Sequence, residues 1–167
     1  MSKLFVVIMA GGVGARFWPL STPENPKQCL QLISQQSLLK NCLIRALQLV
    51  PMQQIIVVTG AAMLSRVAEQ VAGVPKDNII VEPSPRNTAP CIALALRMIV
   101  EKGGERLLVW PCDHHINSTE DWLSVSKEAL KKCSVSGLSL IGISATHPAT
   151  NYGYIARDDK DKGQHNI

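Results

Sequence analysis

The stretch LFVVIMAGGVGAR, residues 4–16, decides the fold of this chain. Six large apolar residues in a row are typical of a strand that is buried on both faces of a sheet. Gly11, Gly12 and Gly14 follow within a few positions, and Arg16 comes next. Glycines allow positive φ angles and close backbone approach, so successive N–H groups can point at phosphate oxygens. The stretch therefore predicts a buried first strand that ends in an anion-binding turn, with Arg16 as an added cation.

This glycine turn matches neither of the two common nucleotide-binding motifs. The dinucleotide motif G-x-G-x-x-G fails because Phe17 stands where the third glycine would be, and no Gly-Lys-Ser/Thr follows as in a Walker A loop. A tight connection without a ligand is the alternative interpretation. A second cation favours phosphate binding, since Lys27 follows Pro26 in a long proline-broken segment that could bring it to the same phosphates as Arg16. The alternative interpretation of Lys27, taken alone, is a solvated surface charge.

Strand-like and helix-like segments alternate along the rest of the chain. Apolar and β-branched runs predict strands at 4–9, 55–58, 79–81, 107–110 and 138–143. Apolar residues at helical spacing predict helices at 38–49, 63–71, 89–100 and 120–132. This order predicts an α/β, Rossmann-like fold, with a mostly parallel sheet and helices on both faces. Ligands of such sheets bind beyond the carboxyl ends of the strands.

Polar residues follow the predicted strands at that edge. Asp113 comes just after the fourth strand, where a carboxylate is well placed for Mg²⁺, and a turn or cap residue is the alternative. Thr88 is expected to cap the helix that starts next to it. The same helix N-terminus, with Asn87 and Glu82, is a candidate contact for a nucleoside or a phosphate.

A tyrosine pair follows the predicted fifth strand. Tyr152 and Gly153 open the sequence YGY. One interpretation is a packed turn. The other is a wall against a sugar ring, in which Gly153 lets the backbone approach the ligand.

Composition and charge narrow the class of function. The chain has 167 residues, of which 46% are hydrophobic and 18% charged, a balance that supports a buried core and excludes a disordered chain. No apolar run approaches the roughly 18 residues of a membrane span. The net charge of +4 comes from dispersed basic residues with only 4% aromatics, which argues against a nucleic-acid partner and fits an anionic small substrate. Five cysteines without a CxxC pair or a secretion signal predict free thiols in the cytoplasm.

Together these segments resemble one family, the mannose-1-phosphate guanylyltransferases within the sugar-nucleotide pyrophosphorylases. The resemblance rests on motifs in order along nearly the whole chain: GGVGARFWPLS at 11–21, PKQ at 26–28, EP at 82–83, RNTAP at 86–90, Pro111 with Asp113-His114, and YGYI at 152–155. The sequence departs from the family pattern at Cys29, Cys91, Cys112 and Asn151.

The resemblance implies a nucleotidyltransferase that forms GDP-mannose and pyrophosphate from GTP and mannose-1-phosphate, with Mg²⁺ as cofactor. It implies that Arg16 and Lys27 stabilise the transition state and the leaving pyrophosphate, and that Asp113 holds Mg²⁺. It assigns nucleotide contacts to Gly11, Gly12, Gly14, Glu82, Asn87, Thr88 and Ala89. It assigns the mannose side to Tyr152 and Gly153.

The resemblance also implies that residues 1–167 are the N-terminal, nucleotide-binding part of a nucleotidyltransferase domain that is truncated at its C-terminus. The family's later Glu-Lys-Pro segment and a second metal-binding aspartate are missing from these residues. We therefore expect little catalysis by the isolated chain, and either a homo-oligomer or a companion chain that supplies the missing half. The second hypothesis is a non-catalytic nucleotide-binding remnant or a regulatory subunit of a complete enzyme. The third is an interaction module without a ligand.

Overall fold

The computed structural model describes residues 3–12, 14–133, 137–150 and 152–155. Within them the strands are β1 (Leu4–Met9), β2 (Ile55–Gly60), β3 (Ile79–Glu82) and β4 (Arg106–Pro111). The helices are α1 (Leu38–Ala46), α2 (Leu64–Gln70), α3 (Thr88–Glu101) and α4 (Thr119–Lys132), and short 3-10 turns join several of these elements. The predicted alternation of strands and helices is confirmed up to α4.

The strands form one parallel sheet in the order β3-β2-β1-β4. The predicted Rossmann-like fold is therefore confirmed. The chain leaves β1 toward β2 and β3 on one side, whereas β4 pairs with the other side of β1. The connections thus diverge between β1 and β4, and this switch point is where open parallel sheets form their ligand crevice.

Both faces of the sheet are covered, as the solid apolar strands predict. On one face, Phe5 and Val7 of β1 form a buried cluster with Cys91, Ala95 and Ile99 of α3. The opposite face is buried as well, including Val6, Ile8, Ile55 and Val57, and α1 and α2 contact β1 and β2. The central strands β1 and β2 are thereby held rigidly between two helical layers, so the loops at their carboxyl ends start from fixed positions.

Local signals in the sequence place the helix ends. The Ser37 hydroxyl accepts a hydrogen bond from the Lys40 N–H at 3.1 Å and caps α1. At the end of α3, Gly103 takes φ 69° and its N–H donates to Val100 C=O at 2.9 Å. The Gly104 N–H donates to Ile99 C=O at 2.8 Å, which completes a Schellman motif.

Two predictions from the sequence are wrong. Residues 138–143 do not form a fifth strand, and Leu138, Leu140 and Ile143 are 89%, 65% and 73% exposed. An apolar run becomes a strand only where a neighbouring strand satisfies its backbone groups, and no such pairing exists for this segment within the described residues. Thr88 is not the cap of α3, because Asn87 occupies that position with φ 66° and Thr88 is already helical. Asparagine tolerates a positive φ better than the β-branched threonine.

The chain forms two compact units, Met1–Asn117 and Ser118–Ile167. The sheet with α1, α2 and α3 belongs to the first unit, and α4 belongs to the second. The side chain of Ser118 caps α4 by accepting from the Asp121 N–H at 3.2 Å. In the part of the chain that the structure describes, no helix is long and apolar enough to cross a membrane.

Candidate nucleotide site

The glycine loop leaves β1 at the switch point of the sheet. The Ala10 N–H donates to Val58 C=O at 2.8 Å, which fixes the start of the loop to β2. Gly12 and Gly14 take φ values of 91° and 69°, conformations that other residues adopt only at a cost. The predicted use of glycine for an unusual backbone path is confirmed at these two positions.

The loop after β4 lies directly beside the glycine loop. Met9 and Pro111 are register partners in the pairing of β1 with β4, and the Cys112 N–H donates to Met9 C=O at 3.1 Å. This pairing brings the next residue, Asp113, to the same edge of the sheet. Two loops that are a hundred residues apart in sequence therefore meet because their strands are neighbours.

Lys27 fills the space between these two loops. It lies in the 3-10 turn Lys27–Cys29, and its Nζ donates to Oδ2 of Asp113. The side chains of Lys27 and Asp113 are 18% and 25% exposed, so the pair is largely shielded from water. A β-carbon on Gly14 would lie 2.6 Å from Lys27 Cβ, which shows how closely the lysine stem follows the loop. Glycine is thus required at position 14 for two reasons: its φ is positive, and a β-carbon there would clash with the Lys27 side chain.

The ion pair controls the charge of Asp113. Partial burial by itself would raise the pKa of this carboxyl group, but the hydrogen bond and the positive charge of Lys27 outweigh it. The pKa of Asp113 is consequently held below its ordinary value of 3.8. Asp113 is a carboxylate at neutral pH, which is the form that binds cations.

This pKa shift predicts an acid-dependent loss of stability. Because the folded-state pKa is lowered, the unfolded chain binds more protons near pH 3–4, and stability rises with pH in that range. The contribution of Asp113 is complete above the ordinary value of 3.8 and is lost as the pH falls through the lower folded pKa. Urea unfolding at pH 7 and pH 3 measures it. The wild-type chain should lose more free energy of unfolding than Asp113→Asn, and equal losses would contradict the prediction.

Glu82 closes the third side of the loop. It ends β3, where it pairs in register with Gly60, and a β-carbon on Gly11 would lie 3.2 Å from its Oε2. We call Gly11, Gly12, Gly14, Lys27, Glu82 and Asp113 the glycine-loop cluster. The structure brings these six residues, all of them singled out from the sequence, to one edge of the sheet.

Gln28 also touches this loop, although no role was predicted for it from the sequence. Its side chain is fully buried, and its Nε2 donates to the carbonyl oxygens of Ala10, Gly11 and Gly12 at 2.7, 3.0 and 3.0 Å. The signal in the sequence is its place in the PKQ motif at 26–28, in a loop where a polar residue is ordinarily exposed.

The remaining predicted residues stand outside the contacts described above. Arg16 is exposed in the 3-10 turn Ala15–Phe17. Asn87, Thr88 and Ala89 form the exposed N-terminal turn of α3. Their backbone N–H groups are available at a helix start, a position that favours anions.

Tyr152 and Gly153 belong to the second unit, where both are exposed. The neighbouring Tyr154 closes a turn, since its hydroxyl accepts from the Ala149 N–H at 2.7 Å and donates to Ala149 C=O at 3.1 Å. Tyr154 is nevertheless 61% exposed, so this segment is a hydrogen-bonded turn rather than a packed one. The role of Tyr152 and Gly153 in sugar binding stays a prediction.

The cysteines near the site are buried thiols. Burial raises the pKa of Cys42 to about 11 and raises the pKa of Cys112 further above its ordinary range. Both are free and neutral at pH 7. Buried thiols with a raised pKa are poor nucleophiles.

A magnesium ion fits this site together with a bound phosphate. Among the described residues, no group of three or more His, Cys, Asp or Glu side chains could hold a metal ion. Asp113 offers one partly exposed carboxylate beside an anion-binding turn. Mg²⁺ commonly takes one or two carboxylates and completes its shell with water and substrate phosphates. The donor set thus suits an ion that arrives with a nucleotide.

Comparison with known proteins identifies the family of this chain. The family model described as nucleotidyl transferase matches residues 5–165. The chain belongs to the nucleotidyl transferase family. The match includes every residue of the glycine-loop cluster, and it confirms the enzyme class predicted from the sequence.

Similar nucleotidyl transferases show which branch of the family the chain resembles. A mannose-1-phosphate guanylyltransferase of Sinorhizobium fredii (strain NBRC 101917 / NGR234) is 38% identical over 161 residues, which are 94% of this chain and 31% of the relative. One of Salmonella muenchen is 39% identical over 165 residues, 95% of this chain and 34% of the relative. The predicted resemblance is confirmed, and the chain spans about a third of the length of these relatives.

A solved structure agrees with the fold. It is described as a mannose-1-phosphate geranyltransferase from Thermus thermophilus, and it superimposes with a TM-score of 0.71 at 32% identity. The superposition covers 77% of this chain and 38% of that one. Both comparisons therefore place the chain against only part of a larger nucleotidyl transferase.

Proposed function

We propose that this chain is the nucleotide-binding part of a guanylyltransferase that forms GDP-mannose and pyrophosphate from GTP and mannose-1-phosphate. One observation carries the proposal: Lys27 and Asp113 meet beside a glycine loop at the switch point of the sheet. A cation, a carboxylate and open backbone N–H groups are what a triphosphate with Mg²⁺ needs. The similarity to mannose-1-phosphate guanylyltransferases supports guanosine as the nucleoside of one substrate and mannose as the sugar of the other.

The chemistry is an in-line attack of the sugar phosphate oxygen on the α-phosphorus of GTP, and catalysis consists of positioning and charge neutralisation. The N–H groups of the glycine loop hold the triphosphate. Lys27, which donates to Asp113 in the free protein, donates to a phosphate oxygen when the nucleotide binds, and Arg16 neutralises the leaving pyrophosphate. Asp113 is the residue that would hold Mg²⁺, and the ion would supply further neutralisation of the negative charge.

We propose further residues for the base and for the sugar. We assign the guanosine to Glu82 and to the helix start at Asn87, Thr88 and Ala89, since that turn is exposed and follows β3 directly. We assign the mannose to Tyr152 and Gly153. These assignments rest on the family motif and on the exposure of the residues.

The experiment is a calorimetric titration of the folded chain with GTP and with UTP in the presence of Mg²⁺. GTP should bind with a dissociation constant between micromolar and millimolar, because two or three charge-assisted phosphate contacts contribute about 1.5–3 kcal/mol each. UTP carries the same triphosphate but a different base. It should bind more weakly, because the proposed site recognises guanosine. Absence of heat with GTP, while circular dichroism shows a folded chain, would refute the proposal.

A companion segment completes the active site in this proposal. The relatives are about three times as long as the matched region. We propose that groups outside the matched region are needed for turnover. The outer side of α3 supports such a segment, since Leu96 and Val100, which lie one turn apart, are 43% and 62% exposed. A surface helix normally presents polar residues there. The remainder of the nucleotidyl transferase domain, in the same polypeptide or in another, is the partner we propose for this face.

A non-catalytic nucleotide-binding subunit is the second candidate, and the glycine-loop cluster supports it equally. Pyrophosphate release from GTP and mannose-1-phosphate distinguishes the two, because only the enzyme releases pyrophosphate once the companion segment is supplied. We place either protein in the cytoplasm, since its five free cysteines suit a reducing compartment.

A further inference from the structure

The side-chain nitrogen of Gln28 donates hydrogen bonds to three backbone carbonyls at the glycine loop. Its Nε2 lies 2.7 Å from Ala10 O and 3.0 Å from both Gly11 O and Gly12 O. The three oxygens identify this end of the amide as the NH₂ group, because a carbonyl oxygen in that position would face three acceptors. The side chain is fully buried, and the hydroxyl of Thr59 adds a fourth hydrogen bond by donating to Ala10 O at 3.2 Å.

This convergence fixes the direction of the N–H groups in the loop. A trans peptide unit points its C=O and its N–H in opposite directions. The peptides whose carbonyls belong to Ala10 and Gly11 carry the N–H groups of Gly11 and Gly12. Because the carbonyls point inward to Gln28, these N–H groups point outward, where they can bind an anion.

We propose that Gln28 is a positioning residue that preorganises the glycine loop for the triphosphate. The proposal rests on the nucleotide binding proposed above. Gln28 touches no reacting atom in this role, since it acts from beneath the loop through the backbone. Without it, the carbonyls of Gly11 and Gly12 would be free to rotate outward, where their negative ends would oppose phosphate oxygens, whereas the Ala10 carbonyl would keep its bond from Thr59.

Glutamine is the side chain that suits this position chemically. Its NH₂ group provides two donors without charge. A glutamate of the same shape would offer only acceptors to three carbonyls, and a lysine would place an unpaired charge in a fully buried position.

Asn78 provides a matched control for a test. It is also buried, its Nδ2 donates to the carbonyls of Gln53 and Ile55 at 3.0 and 2.9 Å, and its other amide atom is buried without a partner, as in Gln28. These bonds lie at the start of β2, the end of the sheet opposite the glycine loop. Gln28→Met and Asn78→Leu therefore remove similar buried hydrogen bonds at opposite ends of the sheet.

The experiment measures thermal unfolding and the binding of GTP with Mg²⁺ and of guanosine for the wild-type chain and both variants. Both variants should be less stable. Only Gln28→Met should bind GTP more weakly, by about ten- to a hundredfold, as for other supporting residues beneath a binding site, with guanosine binding unchanged. A Gln28→Met chain that binds GTP as the wild type does, or an equal loss in Asn78→Leu, would overturn the proposal.

Two further measurements keep the outcome clear. Gln28→Asn retains the amide but withdraws it from the loop, so it replaces Gln28→Met if that variant does not fold and should show the same selective loss. In the wild-type chain, the Nε2 protons of Gln28 should exchange slowly with solvent in NMR spectra, and fast exchange would overturn the geometry. If the wild-type chain itself does not bind GTP, the proposed function fails rather than the role of Gln28.

Discussion

Binding of GTP to the Asp113→Asn variant is expected to be equally strong with and without Mg²⁺. In the wild-type chain, Asp113 and the phosphates share the ion, so Mg²⁺ should strengthen GTP binding. A contact to a charged group contributes about 1.5–3 kcal/mol, which corresponds to about a ten- to hundredfold change in the dissociation constant. The asparagine keeps the shape of the side chain but loses the charge. Calorimetric titration with GTP, in buffer with Mg²⁺ and in buffer with a chelator, measures the difference.

Asp77→Asn is the control for this result. Asp77 is an exposed carboxylate in the 3-10 turn Lys76–Asn78, which precedes β3 and so lies at the opposite end of the strand from Glu82. This variant removes the same charge from the chain and should keep the full effect of Mg²⁺. If Asp113→Asn keeps it too, Asp113 is a turn residue and the metal assignment is wrong.

The behaviour of Lys27 supplies a second readout in the same variant. Lys27 donates to Asp113 in the free protein, so a nucleotide has to compete with that carboxylate for the lysine. In Asp113→Asn the competing charge is gone. GTP binding in the chelator buffer should therefore be at least as strong as in the wild-type chain.

The carboxyl edge of the sheet was predictable from the sequence because each strand leaves a local signal. The apolar runs predict parallel strands, of which β1 and β2 are the most buried, and the polar residues that follow the strands must then share one edge. Glu82 and Asp113 were placed correctly by this rule alone. Lys27 was predicted to lie near the glycine turn together with Arg16, although its pairing with Asp113 was not predicted.

The features that the sequence did not predict depend on tertiary contacts. Gln28 is polar and lies in a loop, and only the folded structure shows that its amide is buried under three carbonyls. Residues 138–143 have the composition of a buried strand, but composition cannot supply the neighbour that a strand needs. At Asn87 and Thr88, the preference of threonine for a cap was overridden by a backbone turn that requires a positive φ one residue earlier.

Gly14→Ala is expected to lower both stability and GTP affinity, whereas Gly103→Ala should lower only stability. Both glycines have φ 69°, so alanine costs about 1–2 kcal/mol at either position. At position 14 the new β-carbon would also lie 2.6 Å from Lys27 Cβ and 2.9 Å from Ser21 Oγ, while at position 103 nothing lies within 4 Å. Relieving such a clash by backbone shifts costs about 1–3 kcal/mol more.

The difference between the two variants isolates the contact of the loop with Lys27. In thermal unfolding, each kcal/mol lowers the Tm of a chain of this size by about 2–4 °C, so Gly14→Ala should melt several degrees below Gly103→Ala. Since the alanine pushes the Lys27 stem away from the loop, GTP affinity should fall about tenfold or more in Gly14→Ala and stay at the wild-type value in Gly103→Ala. Equal Tm values and equal affinities would mean that Lys27 and the glycine loop are independent. In that event the close approach of the lysine stem to Gly14 would have no part in binding phosphate.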